Sequence, residues 1–378
     1  MAESIFWSCL LLPLYAWLGY PLLLAVLALR RPTRQLPPIT PLHVSVVVAA
    51  HNEQRHIEAK LANLLTQEVQ LASLQIVVAS DGSSDATVAL ARGLNDPRIS
   101  VLDLPRQGKN ATLNAAVAHC TGDILLFTDA DVQWQGGAFA ALLGPFADAQ
   151  VGATAGNLLM PLSGTGMSYG EALYRRLEAW LRRLENRVGC CVSADGALQA
   201  LRRELFQPIP PRVNDDFFIS TCAPAAGLRL VYVDQARGID HGTDEVERQF
   251  SRRQRVTVGG LLSLKARRAL LDPRRHGLYA IALISHKLLR RLAPVLLLPL
   301  LLSNLWLLDE SPFYRLSLGA QLLGYGAALL GLLDRRRRLP RVFRLAAFVL
   351  VTVAGMSSGL WQFLRGRSYT QWNPTQTR

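Results

Sequence analysis

The hydrophobic positions of this chain fall into two kinds of run. Residues 4–29 carry no charged side chain, and Arg30, Arg31 and prolines at 32, 37, 38 and 41 follow at once. About 20 apolar residues cross a hydrocarbon layer, so 4–29 is predicted to be an N-terminal transmembrane helix. A cleaved secretion signal is the alternative, but Glu3 is the only charge ahead of the run, the basic leader is missing, and the run is long for one. Near the other end, residues 292–308, 316–333 and 345–364 are again free of charge. They predict a C-terminal transmembrane region at 292–364 with about three helices, followed by a tail at 365–378.

Between these ends the pattern alternates. VSVVVA (44–49), QIVVAS (75–80), ISVLD (99–103) and DILLFT (123–128) are short β-branched runs, separated by helical spacing at 53–69, 84–94 and 109–119. RLVYV (229–233) reads as a later strand. Strands alternating with helices predict an α/β fold with a mostly parallel, Rossmann-like sheet. Apolar runs without polar alternation fit strands buried on both faces. This places a soluble domain at 41–250. The basic, leucine-rich stretch 251–291 has the composition of interfacial helices, with arginines at headgroup level and leucines in lipid.

Composition then fixes the setting. Half of the 378 residues are hydrophobic and only 18% charged, which excludes a disordered chain, a collagen-like repeat and a small disulfide scaffold. Yet the formal charge is +13 and the mean hydropathy is positive. Arg30, Arg31 and the run Arg335 to Arg338 belong on the cytoplasmic side, with Asp309 and Glu310 outside. The soluble domain is therefore expected in the cytoplasm of an integral membrane protein, with a bacterial inner membrane as the expected site. The three arginines of the tail would prefer the same side, which three full crossings would deny them; a re-entrant last stretch is the alternative. No aromatic interleaving accompanies the basic runs, so nucleic acid is not an expected partner. Five cysteines, odd in number and without C-x-x-C spacing, predict buried thiols and neither disulfides nor a zinc site.

The chemistry sits where the strands end. AHNE with Glu53 follows the first, SDGSSD with Asp81 and Asp85 the second, and DAD with Asp129 and Asp131 the fourth. In such sheets ligands lie beyond the carboxyl ends of the strands. Asp85 reads as a helix cap. Asp129 and Asp131 are two carboxylates that repel one another unless a cation lies between them, and Mg²⁺ or Mn²⁺ with substrate phosphate suits such a pair. The loop RQGKN, with Gly108 and Lys109 ahead of a helix, supplies a cation and free N–H groups for phosphate.

VVVAAHNE, ASDGSSDAT, GKNATLNAA and FTDADV, in this order, resemble the N-terminal half of the family 2 glycosyltransferases, membrane-associated inverting enzymes of GT-A fold. The likeness continues through CVSADGALQALRRELF (191–206), NDDF (214–217), QFSRRQRV (249–256) and SHKLLRRLAP (285–294). The resemblance implies that Glu53 and Asp81 line the nucleoside pocket of a nucleotide-sugar donor, expected to be a UDP-sugar. It implies that Asp129 and Asp131 are the D-x-D pair, with Asp131 the direct ligand of Mg²⁺ or Mn²⁺, and that Lys109 faces the diphosphate. Asp216 matches the catalytic base, and Asp195 and Gly196 fall in the acceptor-side loop. His241, in the loop after RLVYV, could approach the site or be structural; Trp134 reads as packing.

The Q-x-x-R-W motif of many polysaccharide synthases of this family is lost, since only Arg255 remains in Arg252, Arg253, Gln254, Arg255, Val256. That weakens an analogy with cellulose or hyaluronan synthases. The arginines could meet the donor diphosphate or face anionic headgroups. The expected function is transfer of a sugar to a growing polysaccharide or other glycan acceptor. A membrane lipid, such as a polyprenyl phosphate or glycolipid, is the alternative acceptor, and a non-enzymatic scaffold would have no use for the four acids. Four spans are few for a secretion channel, so export or synthase partner subunits are expected.

Overall fold

The computed structural model describes residues 1–31, 41–67, 69–162, 167–240, 245–334 and 338–367. His241, Arg335 to Arg337 and the tail beyond Arg367 lie outside the described residues.

Eight strands form one sheet: β1 (His43–Ala50), β2 (Ser73–Asp81), β3 (Ile99–Leu104), β4 (Ile124–Asp129), β5 (Gln133–Trp134), β6 (Val151–Leu159), β7 (Gln199–Arg202) and β8 (Arg229–Ile239), in the order β3-β2-β1-β4-β7-β6-β8-β5. The first four strands match the β-branched runs and pair in parallel. Alternate residues of a strand face opposite sides. Accordingly Val44, Val46 and Val48 pack with Ile57, Leu61 and Leu64 of helix α1 (Ile57–Leu65). Val47 and Ala49 pack on the other face with Leu113 and Val117 of α2 (Lys109–Ala118). Beyond β4 the sheet is mixed: β7 runs antiparallel to β4 and β6, and β8 is parallel to β6. The register sets Ala49 level with Asp129 and Ala50 level with Ser80. One edge of the sheet thus collects the ends of β1, β2 and β4.

Among the described residues four helical segments are long and apolar enough to cross a membrane: Ala2–Leu29, Pro273–Trp306, Pro312–Leu333 and Arg341–Leu364. The second runs through Leu292, where composition alone puts the border between interfacial and spanning residues, and it turns at Gly277, whose φ of 52° suits glycine. The first widens to a π-helical turn over Tyr15–Gly19, just ahead of Pro21, which cannot donate to the Trp17 carbonyl. A second π turn, Ile284–Leu289, lies against it, with Tyr15 Oη 2.9 Å from Ser285 Oγ.

Two further helices join these segments to the sheet. They are α3 (Met167–Val188) and, after the short α4 (Asp215–Ser220), α5 (Val246–Ala266). Tyr20 and Leu24 of the first span, Leu181 of α3, Leu261 and Leu264 of α5, and Leu360 of the last span share one core. The last span approaches α5 through glycines: a Cβ at Gly355 would lie 2.8 Å from the Phe250 carbonyl, and one at Gly359 would lie 2.7 Å from that of Gln254. Small residues at this spacing let helix backbones touch. Gly359→Leu is expected to force the two helices apart and lower the melting temperature, at a cost of about 1–3 kcal/mol typical of overpacking. Gly319→Leu, which meets nothing within 4 Å, should leave it unchanged. Equal melting of both variants in detergent would show that this contact does not hold α5.

Candidate active site

The loops at the sheet edge are tied to each other before any ligand is considered. Asn52, at a φ of 56°, accepts from Ser84 N–H at 2.8 Å, and Glu53 N–H donates to Thr87 Oγ1. Asp85 accepts from Thr87 N–H at 3.0 Å and stands one residue outside Ala86, the N-cap of helix Thr87–Gly93. Asp81 is fully buried, and its carboxylate accepts from Gln107 N–H at 2.7 Å and Gly108 N–H at 3.0 Å. It anchors the glycine loop ahead of Lys109. Gly108 itself has a φ of 94°. Glu53 is 5% exposed and paired with His56 at 2.7 Å; burial pushes its carboxyl up, and Asp131 and Asp129 add to this against the His56 bond.

Lys109 sits between two acids, 2.8 Å from Asp129 and 3.0 Å from Asp215. Burial opposes its charge, but the two carboxylates outweigh this and hold it protonated. Asp131 is raised by burial, by Asp129 and by Asp240. A carboxyl crowded in this way is one that a divalent cation would relieve. Among the described residues no three metal-binding side chains form a ready cage, so an ion here would need substrate oxygens as further ligands, which suits Mg²⁺ or Mn²⁺ on a diphosphate.

The loop bearing Asp129 and Asp131 is gripped from behind by α1. Lys60, fully buried, donates to the Val132 carbonyl at 2.7 Å and lies 4.8 Å from the centre of the Trp134 ring. Asn63 accepts from Trp134 N–H at 2.8 Å and donates to its carbonyl at 2.9 Å. Trp134 is a packing residue, as expected, and its ring N–H bonds to the Ala197 carbonyl.

Asp216 opens α4 and is pushed up to about 6 by burial and by Asp215, against the 2.6 Å bond it accepts from Phe217 N–H. Gly196 lies against it: a Cβ there would be 3.2 Å from that of Asp216. Asp195 is paired with Arg182 at 2.5 Å, which holds it at about 2 although burial alone would raise it.

Two cavities meet at this point. The smaller, of about 370 Å³, is lined by Gln107, Lys109, Asn110, Arg212, Asp215 and Arg255. The larger, of about 640 Å³, runs from Asp195 and Asp216 between α3, α5 and the spanning helices, with Trp17, Leu297 and Val349 on its walls. Asn214 lines both. The basic run of α5 divides accordingly. Arg255 faces Lys109, whereas Arg252 and Arg253 pair with Glu171 of α3; their guanidinium groups hold that carboxyl at about 2 against the effect of burial. The structure thus gathers Glu53, Asp81, Lys109, Asp129, Asp131 and Asp216 at one edge, and gives Arg252 and Arg253 a partner that neither headgroups nor a diphosphate would have supplied. Asp215, Asp240, Glu171, Arg182, Lys60 and Asn63 went unrecognised in the sequence. The neighbouring acids of NDDF were the one signal available for Asp215.

The comparisons agree with this geometry. An N-acetylglucosaminyltransferase of Rhizobium meliloti (strain 1021) is 28% identical over 229 residues, 54% of this chain and 51% of that protein. The succinoglycan biosynthesis protein ExoA of the same organism is 37% identical over 89 residues, 22% of this chain and 27% of that protein. The chain thus spans about half or less of the curated relatives it matches. Among solved structures, the mannosyltransferase PcManGT from Pyrobaculum calidifontis, in complex with GDP-Man and Mn²⁺, superposes with a TM-score of 0.72 at 23% identity, over 97% of this chain and all of that one. That likeness extends the GT-A fold, with its flanking helices, to the whole chain. Residues 45–195 match the family described as Glycosyl transferase family 2, so this part of the chain is a glycosyl transferase family 2 domain.

Proposed function

We propose that the chain transfers a sugar, with inversion, from a nucleotide sugar to an acceptor hydroxyl presented at the membrane. The observation that carries this reading is Asp216, a carboxyl lifted to about 6 at the junction of a polar cavity and an amphipathic one. A base works best when its pKa lies near the working pH. The acceptor oxygen forms a bond to the anomeric carbon, its proton passes to Asp216, and the bond from that carbon to the diphosphate breaks with its electron pair leaving on the diphosphate.

Asp129 and Asp131 would hold the divalent ion, Mg²⁺ or Mn²⁺, whose chemistry when bound is to neutralise the departing diphosphate. Lys109 and Arg255 stand on that same side, with Glu53 and the Asp81-anchored loop at the nucleoside end; a UDP-sugar is the proposed donor. Asp195 and Gly196 border the acceptor side. A growing polysaccharide or glycan is the proposed acceptor. The apolar wall of the larger cavity favours one carried on, or consisting of, a membrane lipid. The proposed setting is a bacterial inner membrane with the domain in the cytoplasm, and export or synthase subunits as partners.

Asp216→Asn is expected to cut the turnover of radiolabelled donor in membranes at least a thousandfold while UDP affinity survives; full transfer would remove the base. Because Asp216 must be deprotonated to act, kcat/KM should fall about tenfold per pH unit below about 6 and level off above it. A flat profile from pH 5 to 8 contradicts that assignment. Chelation with EDTA should stop transfer and added Mn²⁺ or Mg²⁺ restore it, whereas indifference to chelator would take the metal away from Asp129 and Asp131.

A further inference from the structure

The larger cavity carries an unbalanced charge. Seven Lys and Arg side chains line it against four carboxylates. Most of the basic groups are answered: Arg175 by Asp240, Arg182 by Asp195, Arg252 and Arg253 by Glu171. The excess gathers on one stretch of the second span, where Lys287, Arg290 and Arg291 stand at i, i+3 and i+4 and so share a helix face.

Arg290 is 4% exposed. It donates to Glu178 at 2.6 Å and to the Ala16 carbonyl at 3.2 Å and lies over the Trp17 ring, yet its Nη2 has no hydrogen-bond partner. Lys287 reaches Glu178 only at 3.9 Å. Arg291 has no carboxylate within ion-pair distance among the described residues; it donates to the Lys287 carbonyl at 2.8 Å, rests on Gly260 and interacts electrostatically with Asp216. A buried donor without a partner, and three neighbouring cations that share the single carboxylate of Glu178, are both costly to keep.

The wall supplied by the last span is apolar apart from Thr352. Leu345, Phe348, Val349, Thr352, Val353 and Met356 form one face of the last span, about 16 Å long at 1.5 Å per residue. Lys109 and Arg255, the cations beside the D-x-D acids, open on the other cavity.

Resting on the reading of this cavity as the acceptor side, we infer that Lys287, Arg290 and Arg291 bind the phosphate of a lipid-linked acceptor, whose chain follows the last span and whose sugar hydroxyl reaches Asp216. Guanidinium groups recognise phosphate oxygens in this way. A phosphate is already ionised at neutral pH and needs no base, so the phosphate is the handle and a hydroxyl of the same molecule is the nucleophile.

The same cations could instead serve the donor's diphosphate, and the test separates the two. Calorimetry on the full chain in nanodiscs would compare farnesyl diphosphate, farnesol, inorganic pyrophosphate and UDP. Farnesyl diphosphate is expected to bind at least tenfold more tightly than farnesol or pyrophosphate. Arg291→Gln should weaken it at least tenfold and Arg291→Lys much less, with UDP affinity the same within twofold in both. Because Arg290 also ties Glu178 to the first span, Gly260→Ala, whose new methyl group displaces the Arg291 guanidinium, is the second variant and should also weaken farnesyl diphosphate. Equal loss of UDP binding in Arg291→Gln would assign the cluster to the donor, and farnesol binding as tightly as the diphosphate would leave no role for it; either overturns the inference. These readouts need no turnover, so they fail independently of the Asp216 assignment.

Discussion

A helix that carries five charges in alternating order, four of them buried and Arg175 half-buried, holds this molecule together. Along α3, Glu171, Arg175, Glu178, Arg182 and Glu185 recur at spacings of four and three, which aligns them on one face. Glu171, Glu178, Arg182 and Glu185 are each less than 8% exposed. The five charges are answered from several parts of the fold. Glu171 takes Arg252 and Arg253 of α5, Arg175 takes Asp240 after β8, and Arg182 takes Asp195. Glu178 takes His286 and Arg290 of the second span, and Glu185 takes His286 and Tyr20 of the first. Burial would raise Glu178, but His286, Lys287 and Arg290 hold it well below the usual carboxylate range. Such pairs add little net stability, since desolvation offsets attraction, but removing one partner typically costs about 3–5 kcal/mol. Their effect is to specify one arrangement: a slip of α3 by a single turn would unpair every charge at once.

That arrangement joins the candidate site to the apolar helices. The ion pairs of α3 that fix the spans against the sheet also wall the larger cavity, with Asp216 at one end and the last span along its side. The close contact of Gly355 and Gly359 with α5 sets the depth at which Arg252 and Arg253 meet Glu171. The apolar helices, the cavity and Asp216 therefore form one packed unit, and residues of helices long and apolar enough to cross a membrane also shape the space beside the proposed base.

The first half of the fold was legible because its signals are local. Strands buried on both faces read as uninterrupted β-branched runs, and the acids that follow them occupy the sheet edge by topology alone. Elements between 138 and 188 were not legible for the opposite reason. A run of alternating Glu and Arg has the pattern of a solvated, self-paired helix face, and only the tertiary fold shows that its partners lie from 13 to 165 residues away. Arg252, Arg253 and Arg255 look like one basic patch in the sequence. Yet at 3.6 residues per turn Arg255 stands about 200° round the helix from Arg253, and it lines the other cavity. Lys60 and Asn63 had no signal, because they act through the backbone of the D-x-D loop and leave no motif of their own.

The meeting of the two cavities carries a constraint on the chemistry. Asp215 and Asp216 are adjacent, yet Asp215 holds Lys109 in the polar cavity and Asp216 lines the amphipathic one. A single displacement at carbon requires nucleophile and leaving group on opposite sides of the reacting atom. In the proposed reaction the diphosphate lies with Lys109 and the D-x-D acids, and the acceptor hydroxyl lies with Asp216, so the start of α4 stands between the two sides. Gly196 is pressed against Asp216, where an added Cβ would lie 3.2 Å from that of Asp216. The same carboxylate placed on the Lys109 side would be neutralised by that cation and lose its basicity. Its separation from Lys109 by one residue of helix is what lets burial and Asp215 keep it near 6, where it can accept a proton from a hydroxyl and return it to solvent.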